Sequence, residues 1–213
     1  MKITPTQRAE MPVGIELTTG QYFACVAKIL GRLPFAAIDQ FVERLFQAYH
    51  QNRALYIFGN GGSAALASHS ACDLSKGTIT NGKRPFRVIS LTDNVPVITA
   101  WANDLNYDSI FAAQLEPLIQ PGDIAFAISG SGNSTNVVAA LRTARAAGAF
   151  NVGLTGFQGG KIKSLCDLCI VIPSSNMQQI EDSHVCVMHA VFVALRNLIR
   201  NADQLAFSAE AGR

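Results

Sequence analysis

The sequence predicts a doubly wound α/β domain, a five-stranded parallel sheet flanked by helices, preceded by a helical preface. Three observations carry that expectation. After about residue 50, short runs rich in β-branched and aromatic residues alternate with longer segments of helical periodicity. The short runs are continuously apolar, as strands covered on both faces are. Their alternation with helices implies crossover connections and therefore a parallel sheet.

The preface covers about residues 14–50, where Phe23, Val26, Ala27 and Leu30, then Phe41, Val42, Leu45 and Phe46, recur at helical spacing, with Pro34 opening the second stretch. The α/β core covers about 54–200. Its strands are expected at 54–58, 86–91, 124–129, 151–155 and 168–172. Helices are expected between them at 64–75, 95–102, 109–118 and 136–147, with a last one at about 181–200. Residues 201–213 read as a small, polar tail without a role, and 1–213 as one domain.

Composition narrows the function. Of 213 residues, 49% are hydrophobic and 15% charged, which suits one well-cored domain. Seventeen basic and fifteen acidic residues leave a formal charge of +2 with no dense basic run, so nucleic acid is not an expected partner. No apolar run approaches the ~20 residues of a bilayer span and the first residues lack a signal pattern, so the expectation is a cytoplasmic protein with no membrane partner. The odd number of cysteines, five, argues against a disulfide framework. Cys166 and Cys169 form a CxxC without a second pair, so they read as small side chains entering a buried strand rather than as half of a zinc ribbon.

Ligands of open parallel sheets bind beyond the carboxyl ends of the strands. The first strand runs into Gly59-Asn60-Gly61-Gly62-Ser63-Ala64 and the third into Ser129-Gly130-Ser131-Gly132-Asn133-Ser134, each ahead of a helix. Glycine lets the backbone approach an anion, and the free amides of a helix start favour negative charge. The first loop alone also fits a dinucleotide fingerprint, but the acidic residue that fingerprint needs is supplied only by Asp93, which lies too late. The second loop, rich in hydroxyls, suits a phosphate monoester.

With these motifs the chain resembles the sugar isomerase (SIS) domain family, and within it the phosphoheptose isomerases, from about Gln21 to Arg200. The resemblance implies substrate contacts at Asn60, Gly61, Gly62 and Ser63, at Asn103 and Asp104 and at Glu181, and a phosphate cradle at Ser129, Gly130, Ser131 and Ser134. Gly130 stands where the family has Thr. It further implies a metal, Zn²⁺ or another divalent transition ion, one per chain, held by His69 and Asp73 on one helix and by Glu181 and His189 on the last. His69 and Asp73 share a helical face at i,i+4. Helical geometry alone would pair Glu181 with His184, whereas the family pattern points to His189.

Asp73 replaces a Glu and Glu181 a Gln of the family, so the implied set is two imidazoles and two carboxylates. The extra negative charge should hold the metal more tightly and lower its Lewis acidity. The implied reaction is aldose–ketose isomerisation of sedoheptulose 7-phosphate through an enediol, in a heptose pathway such as lipopolysaccharide or capsule synthesis, with Asp73 as base and His189 as acid. Either carboxylate, Asp73 or Glu181, could be the base. The family also implies a homotetramer. The competing expectation is a non-catalytic SIS protein that binds the replication initiator.

Overall fold

The computed structural model describes residues 17–79 and 84–211, with side chains up to residue 202. The start of the expected preface, 14–16, lies outside the described residues. Thr18 opens helix α1 (Thr19–Leu30) with a capping box, its hydroxyl accepting from the Gln21 amide while the Gln21 side chain accepts from the Thr18 amide. Helix α2 (Phe35–His50) follows Pro34, whose fixed φ suits a helix start.

Strands β1 (Ala54–Gly59), β2 (Arg87–Ser90), β3 (Ile124–Ser129), β4 (Phe150–Thr155) and β5 (Leu168–Val171) are all parallel, in the order β2-β1-β3-β4-β5. Helices α3 (Gly62–Gly77), α4 (Val95–Asp104), α5 (Ala112–Leu115), α6 (Thr135–Ala146) and α7 (Met177–Ala211) connect and close the sheet. Buried Asp123 ties the entries to β1 and β3 together, accepting from the Ala54 amide at 2.8 Å and the Gln120 amide at 3.0 Å.

Side chains of successive strand residues point to opposite faces, and β1 divides accordingly. Leu55 and Ile57 join a core made with α2, α3 and α7, whereas Tyr56 and Phe58 join one made with α5 and α6. On the second face β3 carries the small Ala125 and Ala127, which lets Ala140 and Ala144 of α6 come close. On the first face Phe41 of α2 packs on Phe126 of β3, ring centroids 4.8 Å apart, with both side chains fully buried.

The structure departs from the sequence expectations at four places. Edge strands β2 and β5 are not buried on both faces: Arg87 and Ile89 are exposed, and of β5 only Ile170 is fully covered. Cys166 and Cys169 are accordingly half-buried rather than buried. The helix expected at 109–118 is instead a 3₁₀ turn, Tyr107–Ser109, and the single turn of α5, which ends ahead of Pro117, a residue with no N–H with which to continue the ladder. Helix α7 starts earlier than expected because Asn176 caps it, accepting from the Gln179 amide at 3.1 Å.

The expected tail from residue 201 instead continues α7 as far as Ala211, in keeping with its Ala, Gln, Leu and Glu. Residues 177–202 of α7 are long and apolar enough to cross a bilayer by length and composition. The stripe of Ile180, Val187, Met188, Val191, Leu195 and Ile199 is nevertheless buried in the core beside α2 and α3. Removing the ring at the centre of that layer, Phe41→Ala, should cost about 3–5 kcal/mol, read as a lower midpoint in urea with an unchanged slope.

Candidate functional site

In the strand order β2-β1-β3-β4-β5 the chain turns back between β1 and β3, and crevices form beyond the carboxyl ends of strands at such a switch point. The two loops read from the sequence meet there. Gly61 caps α3 with φ +58°, a left-handed backbone that favours glycine, and thereby turns the chain from β1 into the helix. Its neighbour Gly62 faces the carboxylate of Glu181: a Cβ there would lie 3.3 Å from Glu181 Oε1. Ser63 is buried beneath the same turn.

The second loop is braced from below. Gly132, at φ +66°, has no room for a Cβ, which would stand 2.2 Å from the Gly159 carbonyl oxygen. The Ile162 amide donates to the Gly132 carbonyl at 3.0 Å, and the Lys161 amide to Asn133 Oδ1 at 3.1 Å. Ser129 Oγ accepts from the Gly132 amide and Ser131 Oγ from the Asn133 amide, both at 3.2 Å. Ser134 occupies the N-cap of α6 yet makes no capping bond. Gly130 has a steric reason for replacing a larger residue, since its Cβ would fall 2.4 Å from Met177 Sδ.

The loops are joined by an amide pair. Asn60 Nδ2 donates to Asn136 Oδ1 and Asn136 Nδ2 donates to Asn60 Oδ1, each at 2.9 Å. Asn136 is buried on the apolar stripe of α6, where Val137, Ala140 and Ala144 are also buried. The Tyr107 hydroxyl donates to Asn60 Oδ1 at 2.9 Å. Neither Asn136 nor Tyr107 was expected from the sequence. A polar residue interrupting the apolar stripe of α6 was the available signal for Asn136; Tyr107 had none.

A second centre lies on the seam between α3 and α7. His69 Nε2 and His189 Nε2 are 3.0 Å apart, and Asp73 Oδ2 lies 3.2 Å from the first and 3.9 Å from the second. Among the described residues these three form the one cluster of ligand atoms suited to a metal, all within 4.8 Å of one another. Ligand atoms at Zn–N and Zn–O lengths of ~2.05 Å in a tetrahedron are separated by about 3.3 Å, so the donor set and spacing fit such an ion. The cluster is open to solvent, His69 and His189 being 53% and 51% exposed.

Glu181 stands apart from that cluster. Its carboxylate lies at the first turn of α3, where the helix dipole favours negative charge, and seven residues of α3 separate Gly62 from His69, about 10 Å of helix. Beside it Tyr22 of α1 donates to Asp182 Oδ2 at 2.5 Å, and this bond pushes the phenol up to about 12. Asn103 and Asp104 lie exposed at the end of α4, Asn103 Nδ2 donating to Asp104 Oδ1 at 2.9 Å. His184 points into the core, fully buried, with its imidazole pushed down to about 4 by burial, against a raising hydrogen bond with the Thr155 backbone. It is not among the clustered ligand atoms.

A parallel sheet with this order, Gly- and Ser-rich loops at its switch point and a polar helix seam define an open α/β domain whose crevice suits an anionic ligand. The SIS domain model matches residues 21–156. A phosphoheptose isomerase of Pelobacter propionicus is 41% identical over 148 residues, 70% of this chain and 78% of that one. One from Rhodospirillum rubrum is 44% identical over 131 residues, 62% and 69% of the two chains. The structure of the phosphoheptose isomerase from Neisseria gonorrhoeae superposes with a TM-score of 0.77 at 28% identity, covering 84% of this chain and 96% of that one. The chain belongs to the SIS domain family and is of the phosphoheptose isomerase type.

Buried His184 makes stability depend on pH in a defined direction. Its folded pKa, about 4, lies below the ordinary 6.5, so the unfolded chain binds the proton more readily. The stabilisation is complete above pH 6.5 and is lost as pH falls towards 4. With chelator present throughout, the melting temperature of the wild type should drop over that window. In His184→Gln the drop should be shallower.

Proposed function

We propose that the protein is an aldose–ketose isomerase acting on sedoheptulose 7-phosphate. The observation that carries the reading is the convergence of His69, Asp73 and His189, two imidazoles and a carboxylate able to handle protons and oxygen ligands together. The chemistry moves a proton between the two carbons beside a carbonyl through an enediol. The Ser129–Ser134 loop and the start of α6 bind the phosphate with neutral hydroxyl and amide donors, which fixes the reacting end by remote binding energy. Asp73, whose Oδ2 faces both imidazoles, takes the carbon-bound proton on the carboxylate oxygen that does not hold the metal ion, and His189 supplies a proton to the oxygen of the enediol from the ring nitrogen that does not hold it.

His69, Asp73 and His189 are the residues that hold a divalent ion, for which Zn²⁺ is the reading. When bound, the ion polarises the carbonyl and enediol oxygens. Glu181 joins as a fourth ligand only if its carboxylate leaves the first turn of α3, or else it binds the sugar from where it is.

The same reading places the enzyme in a heptose pathway such as lipopolysaccharide or capsule synthesis, in the cytoplasm, as a homotetramer. Assembly is supported by α4, which buries none of its residues although it carries Val95 and Trp101, and by Phe23 of α1, 69% exposed. Proton abstraction at so open a cluster benefits from a neighbouring subunit that excludes water.

Solvent deuterium incorporation into sedoheptulose 7-phosphate tests the reaction. Wild type should exchange the proton beside the carbonyl, Asp73→Asn should slow exchange by ~10² or more, and Glu181→Gln should be the milder change. Glu181→Gln proving the more damaging would make Glu181 the base. Absence of exchange in the wild type with several ketose phosphates, together with tight binding of the replication initiator, would replace the enzyme by the regulatory alternative. Elemental analysis after zinc supplementation should find close to one metal per chain, lost in His69→Ala and in His189→Ala. Full isomerase activity in metal-free wild type would refute the metal role.

A further inference from the structure

The hydrogen bonds around Asn60 have a polarity that can be read in one direction. The Val137 amide can only donate, and it does so to Asn136 Oδ1 at 2.9 Å. This fixes which end of the Asn136 amide is oxygen, so Asn136 Nδ2 is the group that donates to Asn60 Oδ1. Asn60 is thereby oriented in turn. The Tyr107 hydroxyl, 2.9 Å from the Asn60 oxygen, must use its own proton as the donor.

Two consequences follow for the crevice between β1 and β3. Asn60 Oδ1 already accepts from Asn136 and Tyr107, and one Nδ2 hydrogen is used on Asn136, so Asn60 offers a ligand a single N–H and no acceptor. Tyr107, its proton committed, offers lone pairs and no donor. The turn that carries Tyr107 is fixed in place, since Thr135, first residue of α6, donates to Asp108, and Ser109 donates to Asn106 Oδ1 at 2.9 Å. Tyr107 therefore keeps its place relative to Asn60 before any ligand arrives.

We propose that Tyr107 is a specificity-determining residue which, with Asn60, reads one hydroxyl group of the sugar phosphate. Asn60 Nδ2 donates to that hydroxyl's oxygen, and the Tyr107 oxygen accepts its hydrogen. A keto oxygen or a deoxy carbon at the same place cannot satisfy both, so the pair selects a chain with a hydroxyl at that place. This inference rests on the sugar-phosphate reading of the switch-point crevice and adds the residue that chooses among its ligands.

The test is calorimetric titration of the full chain, wild type and Tyr107→Phe, with sedoheptulose 7-phosphate and separately with inorganic phosphate. The substitution should raise the Kd for the sugar phosphate about tenfold, leave the Kd for phosphate within about twofold, and leave the melting temperature unchanged, because the ring is exposed and Asn136 still holds Asn60. Equal sugar-phosphate Kd values in the two proteins would overturn the proposal. So would a matching loss for both ligands accompanied by a lower melting temperature, which would make Tyr107 a structural brace. A wild type that binds phosphate but no sugar phosphate would defeat the isomerase reading and this inference together. A wild type that binds both, with Tyr107→Phe indistinguishable from it, would defeat this inference alone.

Discussion

The close approach of α3 and α7 is the contact on which the site depends. Imidazoles from two helices reach 3.0 Å only if the backbones run near each other over several turns, and the seam is bracketed by glycines. Gly62 admits the Glu181 carboxylate at one end, and at the other a Cβ on Gly77 would lie 2.2 Å from the Phe192 ring. Between them, Leu66 and Leu74 of α3 pack in the same core as Val187, Met188 and Val191 of α7. The polar cluster thus rides on an apolar contact, and its geometry is set by how small the residues at the two ends are.

The crevice at the switch point depends on a different kind of constraint. Its loops are held by backbone hydrogen bonds and by amides whose donors and acceptors are matched, with little apolar burial of their own. Such a site keeps its shape without a ligand, so less of the binding energy goes into ordering it. The first of these loops opens α3, and the imidazole of His69 stands about two turns further along the same helix.

The five strands and the two phosphate-type loops were legible because their signals are local: continuous apolar runs, glycine at helix starts, hydroxyls in a row. His69 and Asp73 were singled out by the family pattern, and their i,i+4 spacing on one helix agreed with it. His189 was reached through the family pattern, since its meeting with His69 is a tertiary contact across 120 residues. What failed was mostly at edges and breaks. The exposure of β2 reflects its position in the sheet, which no periodicity records, while Pro117 and Asn176 were visible signals given too little weight. Glu181, a carboxylate in place of a neutral amide, lies at the start of α3, where the helix dipole favours negative charge, and that placement is a tertiary feature no local pattern records.

Met177 under Gly130 couples two positions that are far apart in the chain. A residue larger than glycine at 130 requires Met177 to change rotamer, since its Cβ would fall 2.4 Å from the thioether sulfur, and a smaller residue at 177 would open a void beneath the loop. A change at 130 is therefore felt first in the rotamer of Met177, an unbranched side chain with several staggered alternatives. A library that varies the Ser-rich loop thus has reason to vary the first turn of α7 along with it, because the two share one small space.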